Sequence, residues 1–235
     1  MPVCDAQIDA EIKARFDLDG FINFGRILPP EDVEILSKRF DDIADGTLPM
    51  PDGVVRFHKD VKWGPGTNVT RRDAVFQILG AHKHDDVIRH YCELPLIKNL
   101  LETLLDAPAV LNTTQVVIKP AYHGGTVPWH QDTSYWGQEK RMTCWLALDD
   151  ATPFNGCMRM IPGSHRRGQI KFTPKLSDEY GINLLETDGV NEDTQVYVPV
   201  RAGCASIHHP LTLHASDKNP SPHRRRGLAI TYLAQ

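Results

Sequence analysis

The stretch Trp129-His130-Gln131-Asp132 is the part of the sequence that decides how the fold is interpreted. Side chains at positions i and i+2 of an extended strand point to the same face, so a strand here would direct His130 and Asp132 toward one point. They can bind one metal ion, and a second histidine from another strand would complete a facial set of three ligands. That set leaves the opposite side of the ion open and is typical of non-heme Fe(II) oxygenases.

A His-x-Asp pattern is common by chance, and the chain contains three of them. His58-Lys59-Asp60 lies in a polar stretch followed by Gly and Pro, which predicts a loop. His84-Asp85-Asp86 precedes apolar residues at helical spacing, so its side chains would diverge. Only residues 130–132 lie beside strand-like sequence, with 115–118 before them and 143–148 after them. We therefore predict a metal site at the third pattern, in preference to a surface histidine near a solvated aspartate.

From about residue 110 the sequence alternates short β-type runs with turns. The predicted strands cover residues 110–119, 127–132, 142–149, 157–161, 195–200, 204–208, 211–214 and 227–233. Short strands after a helical front half predict a mainly β fold with flanking helices, in which a double-sheet barrel or jelly roll forms the core. We expect a single domain over residues 1–235, with a helical front half (1–109) that wraps a β-core (110–235).

The front half is predicted to be mostly helical. Its predicted elements are a helix at 6–16, a strand at 20–24, a helix at 30–45 and helical sequence over 73–105 that is interrupted near Pro95. Residues 46–72 are rich in Gly, Pro and polar side chains and predict a long mobile loop, and such loops often cover binding sites.

This predicted loop carries side chains that could contact a substrate: Arg56, His58, Lys59, Lys62 and Trp63. If the loop covers a site, these groups would meet a polar or anionic molecule. A solvated charged loop is an equally good interpretation.

Composition narrows the class of protein. The net charge of −4 argues against a nucleic-acid-binding surface. No apolar stretch approaches the length that spans a bilayer, and the first residues lack an apolar signal core. The five cysteines (4, 92, 144, 157 and 204) are odd in number and form no Cys-x-x-Cys motif, so we expect a reduced, cytoplasmic protein with buried thiols at 144, 157 and 204. We expect a small-molecule partner, no membrane or nucleic acid, and a monomer or homodimer.

Three histidines compete for the third ligand position: His208, His209 and His214. Strand alternation alone does not choose among them. A histidine that is only packed or hydrogen-bonded is the commoner case, so two of the three need have no metal role.

Arg225 opens the last predicted strand. Period 2 puts Arg225, Gly227, Ala229 and Thr231 on one face, where the small side chains would leave room for a ligand beside the guanidinium. A buried arginine needs a partner, and a carboxylate is its natural bidentate partner. The alternative is that residues 224–226 are three solvated arginines at a strand end.

Several further residues are candidates for ligand contacts. Thr143 and Trp145 share one strand face, and Ser216 follows His214 by two positions, so each could touch a cosubstrate. We assign Gln131 and Trp136 to the substrate pocket, although Trp136 also fits a surface-anchoring aromatic residue.

The following motifs carry a resemblance to a known family: FDLDGFINF (16–24), PWHQD (128–132), ALDDATPFNG (147–156), MIPGSHRRG (160–168) and HHPLTLHAS (208–216), with Arg225 after them. Together they resemble the phytanoyl-CoA dioxygenase family of Fe(II)/2-oxoglutarate oxygenases, which includes ectoine hydroxylase. The likeness follows the chain in order, is dense from 115 to 235 and thin from 46 to 110.

The resemblance implies a double-stranded β-helix core and a set of site residues. The iron ligands and catalytic residues would be His130, Asp132 and His214. The 2-oxoglutarate contacts would be Arg225, Thr143, Trp145, Ser216 and Gln115. The implied reaction consumes 2-oxoglutarate and O2, yields succinate and CO2, and hydroxylates an unactivated C–H bond of a small molecule.

Two other classes remain open at this point. A cupin-like metalloenzyme, such as an isomerase or a dioxygenase without a cosubstrate, would keep the metal and leave Arg225 without a catalytic role. A non-catalytic binding module on a degenerate barrel would need neither.

Overall fold

Two antiparallel sheets form the centre of the structure, a computed structural model that describes residues 10–59, 61–137 and 140–235. The helices are α1 (Ala10–Asp19), α2 (Pro30–Asp45), α3 (Arg71–Ala74), α4 (Asp86–Cys92), α5 (Pro95–Leu105) and α6 (Thr133–Trp136). The strands are β1 (Phe21–Arg26), β2 (Val55–Phe57), β3 (Val75–Leu79), β4 (Ala109–Lys119), β5 (Val127–His130), β6 (Arg141–Ala147), β7 (Met158–Met160), β8 (Phe172–Leu176), β9 (Asn183–Thr187), β10 (Val196–Val198), β11 (Cys204–His208), β12 (His214–Ser216) and β13 (Arg225–Ala234).

The large sheet has seven strands in the order β1-β11-β6-β13-β4-β3-β2, and the small sheet has four in the order β10-β7-β12-β5. A separate hairpin of β8 and β9 completes the strands. The prediction of a mainly β fold with two sheets and flanking helices is confirmed.

Strand alternation separates the two faces of the large sheet. On β13, Leu228 and Ile230 pack into the same hydrophobic cluster as the helices, whereas Ala229 packs with residues of the small sheet. On β6, Leu146 belongs to the helix side and Trp145 to the side of the small sheet. The large sheet therefore covers a helical layer with one face and the small sheet with the other.

The helix α2 shows how the outer layer is built. Pro30 fits the first turn of a helix, acidic residues follow in that turn, and Gly46 ends the helix with φ 85°. Leu36, Phe40 and Ile43 lie on one face and are almost fully buried. This apolar stripe attaches the helix to the outer face of the large sheet.

The front half is less helical than predicted. β1, β2 and β3 all join the large sheet, so this half supplies strands as well as a helical layer. The predicted helical segment 73–105 begins with the last two residues of α3 and then contains β3, because residues 75–79 pair with both β2 and β4. The predicted loop 46–72 contains the edge strand β2. The predicted first helix extends from 10 to 19, and residues 6–9 of that prediction lie outside the described part.

The hairpin of β8 and β9 was not predicted. Its strands pair only with each other, and most of their side chains are exposed or half-buried, so alternation of apolar and polar residues is weak. Cys144 and Cys157 are buried as predicted, and Cys204 is half-buried. Within the described residues, no helix has the length and apolar character needed to cross a membrane.

Candidate metal centre and its cavity

Two strands of the small sheet bring two histidines together. β5 and β12 are antiparallel neighbours with His130 opposite His214, and the two imidazole centroids lie 4.1 Å apart. Both residues are buried. The pairing of these strands selects His214 as the partner of His130.

Asp132 reaches the same point through a turn and not through strand alternation. β5 ends at His130, and Asp132 has helical backbone angles (φ −59°, ψ −33°) at the start of α6. Its Oδ1 lies 3.9 Å from Nε2 of His130 and 3.6 Å from Nε2 of His214. The predicted strand over 127–132 is therefore two residues too long. The side chains of His130 and Asp132 do converge, but not because they share one face of a strand.

Hydrogen bonds to the backbone fix both imidazoles. Nδ1 of His130 donates to the carbonyl of Pro128, and Nδ1 of His214 donates to the carbonyl of Thr212, each at 2.9 Å. Because a carbonyl can only accept, both rings carry the proton on Nδ1 and leave Nε2 unprotonated beside Asp132. Metal-binding histidines are usually oriented in this way.

Burial sets the protonation state that a metal needs. It lowers the pKa of His130 and, reinforced by the neighbouring His130 ring, lowers the pKa of His214 to about 3. Burial disfavours the charged form of Asp132, but the nearby histidines outweigh it and hold the pKa of that carboxyl well below its usual range. At neutral pH the cluster is one carboxylate and two neutral imidazoles.

This donor set fits a divalent first-row metal ion such as Fe(II). Ligand atoms about 2.0–2.2 Å from one ion stand roughly 3–4 Å apart, which is the spacing found here. Two imidazoles with one carboxylate leave further coordination positions open. Within residues 10–59, 61–137 and 140–235, no other group of three potential ligands was found with its ligand atoms within 4.8 Å of one another.

The other two His-x-Asp patterns have structural roles. Asp85 caps α4 by accepting from the amide of Ile88, and it also pairs with Arg39. His58 is buried against the rings of Phe76 and Tyr180. Asp60 lies outside the described residues.

The metal cluster opens into a cavity of about 390 Å³ that Arg225 also lines. The guanidinium of Arg225 is buried, lies 5.2 Å over the ring of Trp145, and donates from Nε and Nη2 to the carbonyl of Gly156. Burial lowers the pKa of Arg225 to about 10, so the group remains charged at neutral pH. One carbonyl does not neutralise a buried cation, and the remaining N–H groups can bind a carboxylate.

The face of β13 is as predicted. Arg225, Ala229 and Thr231 line the cavity, and Gly227 makes room for Trp145, since a Cβ at 227 would lie 1.8 Å from Cζ2 of that indole. On the other face, Arg226 is buried in ion pairs with Asp149 and Asp41. The alternative of three solvated arginines is therefore wrong.

The other expected cosubstrate residues line the same cavity: Gln115, Thr143, Trp145 and Ser216. The hydroxyl of Thr143 lies 3.4 Å from Oδ2 of Asp132 and so touches the cluster itself. Trp136 also lines the cavity, with the guanidinium of Arg141 at 5.3 Å from its ring centroid.

The prediction that Gln131 contacts the substrate is wrong, because the side chain of Gln131 does not reach the cavity. Gln131 is fully buried and is not among the side chains that line the cavity. Its amide nitrogen donates to the carbonyls of Gly168 and Leu211, and its oxygen accepts from the amide of Ile170 and the side chain of Gln169. The amide group of Gln131 is therefore fully hydrogen-bonded within the fold. Gln131 attaches the turn between His130 and Asp132 to the segments around residues 168–170 and 211.

Two residues near the site, Lys119 and Tyr180, were missed, and a third, His208, was considered only as a competing metal ligand. Lys119 is fully buried and lies opposite Arg225 in the sheet, and burial, with Arg225 adding to it, lowers its pKa. Tyr180 lines the cavity with a buried hydroxyl that lacks a hydrogen-bond partner among the described residues. His208 places Nε2 3.1 Å from Oδ2 of Asp132. Residues 115, 117 and 119 share one face of β4, so strand alternation from Gln115 predicts that Lys119 also faces the site. No pattern in the sequence around Tyr180 indicates its position.

A family model described as phytanoyl-CoA dioxygenase (PhyH) matches residues 16–227. The chain belongs to the phytanoyl-CoA dioxygenase family. Members of this family are Fe(II)/2-oxoglutarate-dependent oxygenases, and this family member is an enzyme of that type. Its cofactors are Fe(II), 2-oxoglutarate and O2, and its substrate is a small molecule.

Two curated relatives align along nearly the whole chain of this family member. The L-proline trans-4-hydroxylase of Streptomyces griseoviridis is 29% identical, over 99% of this chain and 88% of its own. The ectoine dioxygenase of Nocardia farcinica is 25% identical, over 98% of this chain and 80% of its own.

Solved structures confirm the double-stranded β-helix fold. EvdO2 from Micromonospora carbonacea var. aurantiaca, complexed with 2-oxoglutarate, has a TM-score of 0.77 at 22% identity and covers 98% of this chain and 92% of its own. EctD from S. alaskensis, with 2-oxoglutarate and 5-hydroxyectoine, has a TM-score of 0.76 at 20% identity and covers 100% of this chain and 79% of its own.

Proposed function

We propose that this phytanoyl-CoA dioxygenase family member hydroxylates an unactivated C–H bond of a small polar metabolite at the cluster of His130, Asp132 and His214. One observation carries the proposal: the cluster and the buried cation of Arg225 line the same cavity. A metalloenzyme without a cosubstrate would have no use for that cation beside its metal. A binding module would need neither group.

Each residue of the chain has a distinct role in this proposal. His130, Asp132 and His214 hold Fe(II), and Arg225 binds the distal carboxylate of 2-oxoglutarate. The side chains around the cosubstrate are Thr143, Trp145, Ser216 and Gln115. When bound, Fe(II) supplies the oxidative chemistry that couples decarboxylation of 2-oxoglutarate to hydroxylation of the substrate. The chain orients the C–H bond and excludes water.

Trp136 forms part of the wall against which the substrate packs, since it lines the cavity about one helical turn beyond the metal ligand Asp132. We place no substrate contact on Gln131.

The test is conversion of 2-oxoglutarate to succinate by purified protein with Fe(II), ascorbate and a panel of small polar metabolites that includes proline and ectoine. We expect substrate-dependent succinate and a product heavier by one oxygen, and loss of both in Asp132→Ala. Absence of succinate with every substrate, under conditions where a known relative is active, would overturn the proposal.

We also propose that residues 1–235 fold as one domain, that the protein is cytoplasmic, and that it acts as a monomer or homodimer without nucleic acid or membrane partners. The cysteine usage and the net charge of −4 support these statements. Limited proteolysis and light scattering test the first and third: a stable fragment that ends near residue 109, or a larger assembly, would contradict them.

A further inference from the structure

Arg56 is a cation of the cavity wall that no role described so far uses. Among the described side chains that line the cavity, Arg56, Asp132 and Arg225 are the arginine and acidic residues. Asp132 belongs to the metal cluster and Arg225 to the cosubstrate. Arg56 lies on the edge strand β2, where its side chain lines the cavity but is largely exposed, and it has no acidic partner among the described residues. Arg159 and Arg226, by contrast, are both paired with carboxylates.

Arg56 begins a chain of hydrogen bonds whose direction is fixed. Its Nη1 donates to Oε1 of Gln77 at 3.2 Å, and Nε2 of Gln77 donates to Oε1 of Gln115 at 2.8 Å. A guanidinium can only donate, so the oxygen of Gln77 must face it, and the amide nitrogen of Gln77 must then face the oxygen of Gln115. The amide nitrogen of Gln115 therefore ends this chain of hydrogen bonds and has no acceptor among the described residues. This wall of the cavity offers donors and a positive charge.

The rest of the lining adds an apolar requirement. Aromatic and aliphatic side chains share the cavity with these donors: Phe76, Leu79, Tyr135, Trp136, Ile182 and Leu184. We propose that the substrate carries a carboxylate, which Arg56 binds, together with an apolar portion that packs against these side chains. This inference rests on the proposed function and names the substrate class of the same site.

The test uses small carboxylic acids and amino acids, each paired with its primary amide, and follows succinate formation. We expect the acids and not the amides to stimulate turnover. Arg56→Gln should raise KM for an active acid roughly 10- to 100-fold, with little change in the KM for 2-oxoglutarate. Arg56→Lys should recover part of the loss, and Arg201→Gln, an exposed arginine elsewhere, should match the wild type.

The outcomes separate the two proposals. If the wild type forms no succinate with any compound, the proposed function fails. If amides work as well as acids, if no acid works while other compounds do, or if Arg56→Gln leaves KM unchanged, only the carboxylate inference fails.

A second inference concerns His208 and stands on separate contacts. The two oxygens of Asp132 are used differently: Oδ1 faces Nε2 of both metal-cluster histidines, whereas Oδ2 is 3.1 Å from Nε2 of His208 and 3.4 Å from Oγ1 of Thr143. His208 and Thr143 are opposite each other on β11 and β6. They therefore hold the carboxylate from the large sheet, while the histidines of the cluster belong to the small sheet.

We infer that His208 is a positioning residue, which donates to Oδ2 and leaves Asp132 one oxygen for the ion. Its replacement should weaken metal binding without removing a ligand, as expected for groups that orient ligands. His208→Phe should raise the dissociation constant for Co(II) roughly 10- to 100-fold. His208→Gln, which keeps a donor, should lose less.

The measurement is a titration of the metal-free protein with Co(II), monitored by the visible absorption of the bound ion. Thermal unfolding of each metal-free variant shows whether it is folded. His209→Gln is the neighbouring control, because His209 accepts from the amide of Leu211 and does not contact Asp132. If His208→Phe folds and binds Co(II) with the wild-type affinity and spectrum, the inference is wrong. If the phenylalanine variant does not fold, His208→Gln decides the question in the same way.

Discussion

At the scale of single residues, each side chain of the proposed site is oriented by hydrogen bonds to neighbouring groups of the protein. Backbone carbonyls orient the imidazoles of His130 and His214, and the carbonyl of Gly156 holds Arg225. Side chains of the large sheet hold the second oxygen of Asp132. These contacts set the directions of the ligand atoms before an ion binds, which reduces the ordering cost of binding.

Arg225→Lys should weaken the binding of 2-oxoglutarate, because an ammonium group cannot make the bidentate contact of a guanidinium. We expect the KM for 2-oxoglutarate to rise roughly 10- to 100-fold, with a smaller change in kcat. Succinate formation at varied 2-oxoglutarate measures both. Arg224→Lys is the matched control, since Arg224 precedes β13, is not among the side chains that line the cavity, and pairs with Asp41. An unchanged KM in Arg225→Lys would remove Arg225 from the cosubstrate site.

Gly227→Ala should destabilise the protein by about 1–3 kcal/mol, because its Cβ would overlap the indole of Trp145. Combining it with Trp145→Phe should recover part of this loss, since the smaller ring leaves space. Urea unfolding of the two single variants and the double variant gives the coupling free energy. Purely additive effects would show that the close approach of residue 227 to the ring has no energetic consequence.

At the scale of secondary structure, the sequence predicted the positions of strands best where a strand buries one or both of its faces. The strands from β4 to β7, together with β10, β11 and β13, overlap predicted segments, whereas β12 shares only His214 with the predicted strand 211–214. The prediction of helix over residues 75–79 is wrong because this segment, which forms β3, is a short and mostly buried apolar run without a periodicity of its own. β8 and β9 gave no signal because most of their side chains are exposed or half-buried, so apolar and polar residues do not alternate clearly.

This hairpin, and not only segment 46–72, borders the cavity, and its strand β9 lies against β5, which carries the metal ligand His130. The amide of Leu185 on β9 donates to the hydroxyl of Tyr135 at 2.9 Å, and both Ile182 and Leu184 line the cavity. The hairpin is therefore well placed to control access to the metal centre.

Tyr135→Phe should loosen the hairpin while leaving the core intact. We expect faster hydrogen exchange of the amides in β9 and a loss of at most about 1.5 kcal/mol in global stability. Tyr197→Phe, at a half-exposed tyrosine on β10, is the control and should leave exchange in β9 unchanged. Equal protection of the β9 amides in Tyr135→Phe and wild type would show that this hydrogen bond does not hold the hairpin.

At the scale of the whole molecule, the site depends on residues brought together from distant parts of the chain. The metal histidines meet because β5 pairs with β12, and Arg225 reaches the same cavity from the large sheet. A single sequence shows which residues share a strand face but not which strands pair. For that reason the choice of His214 and of the cosubstrate residues came from the family resemblance and not from periodicity.

The fold also buries histidines, which makes its stability depend on pH. Burial, with the charge of Lys83 adding to it, lowers the pKa of His82 to about 4, from an ordinary value of 6.5. The unfolded chain therefore takes up a proton that the folded chain resists, so stability falls as pH drops from about 6.5 toward 4.

His82→Gln should show a smaller loss of stability than the wild type between pH 7 and about pH 4.5. Urea unfolding of the metal-free protein across this range is the measurement. His84→Gln, at an exposed neighbouring histidine, should follow the wild-type curve. Parallel curves for His82→Gln and wild type would show that His82 takes up no extra proton on unfolding.

The most direct test of the central claim is anaerobic titration of the metal-free protein with Fe(II), followed by 2-oxoglutarate. The account predicts one tightly bound Fe(II) per chain in the wild type and a visible charge-transfer absorption when the keto acid is added. It predicts that Asp132→Ala and His214→Ala, shown to be folded by circular dichroism, lose both. Iron bound with wild-type stoichiometry and affinity in either variant would contradict it.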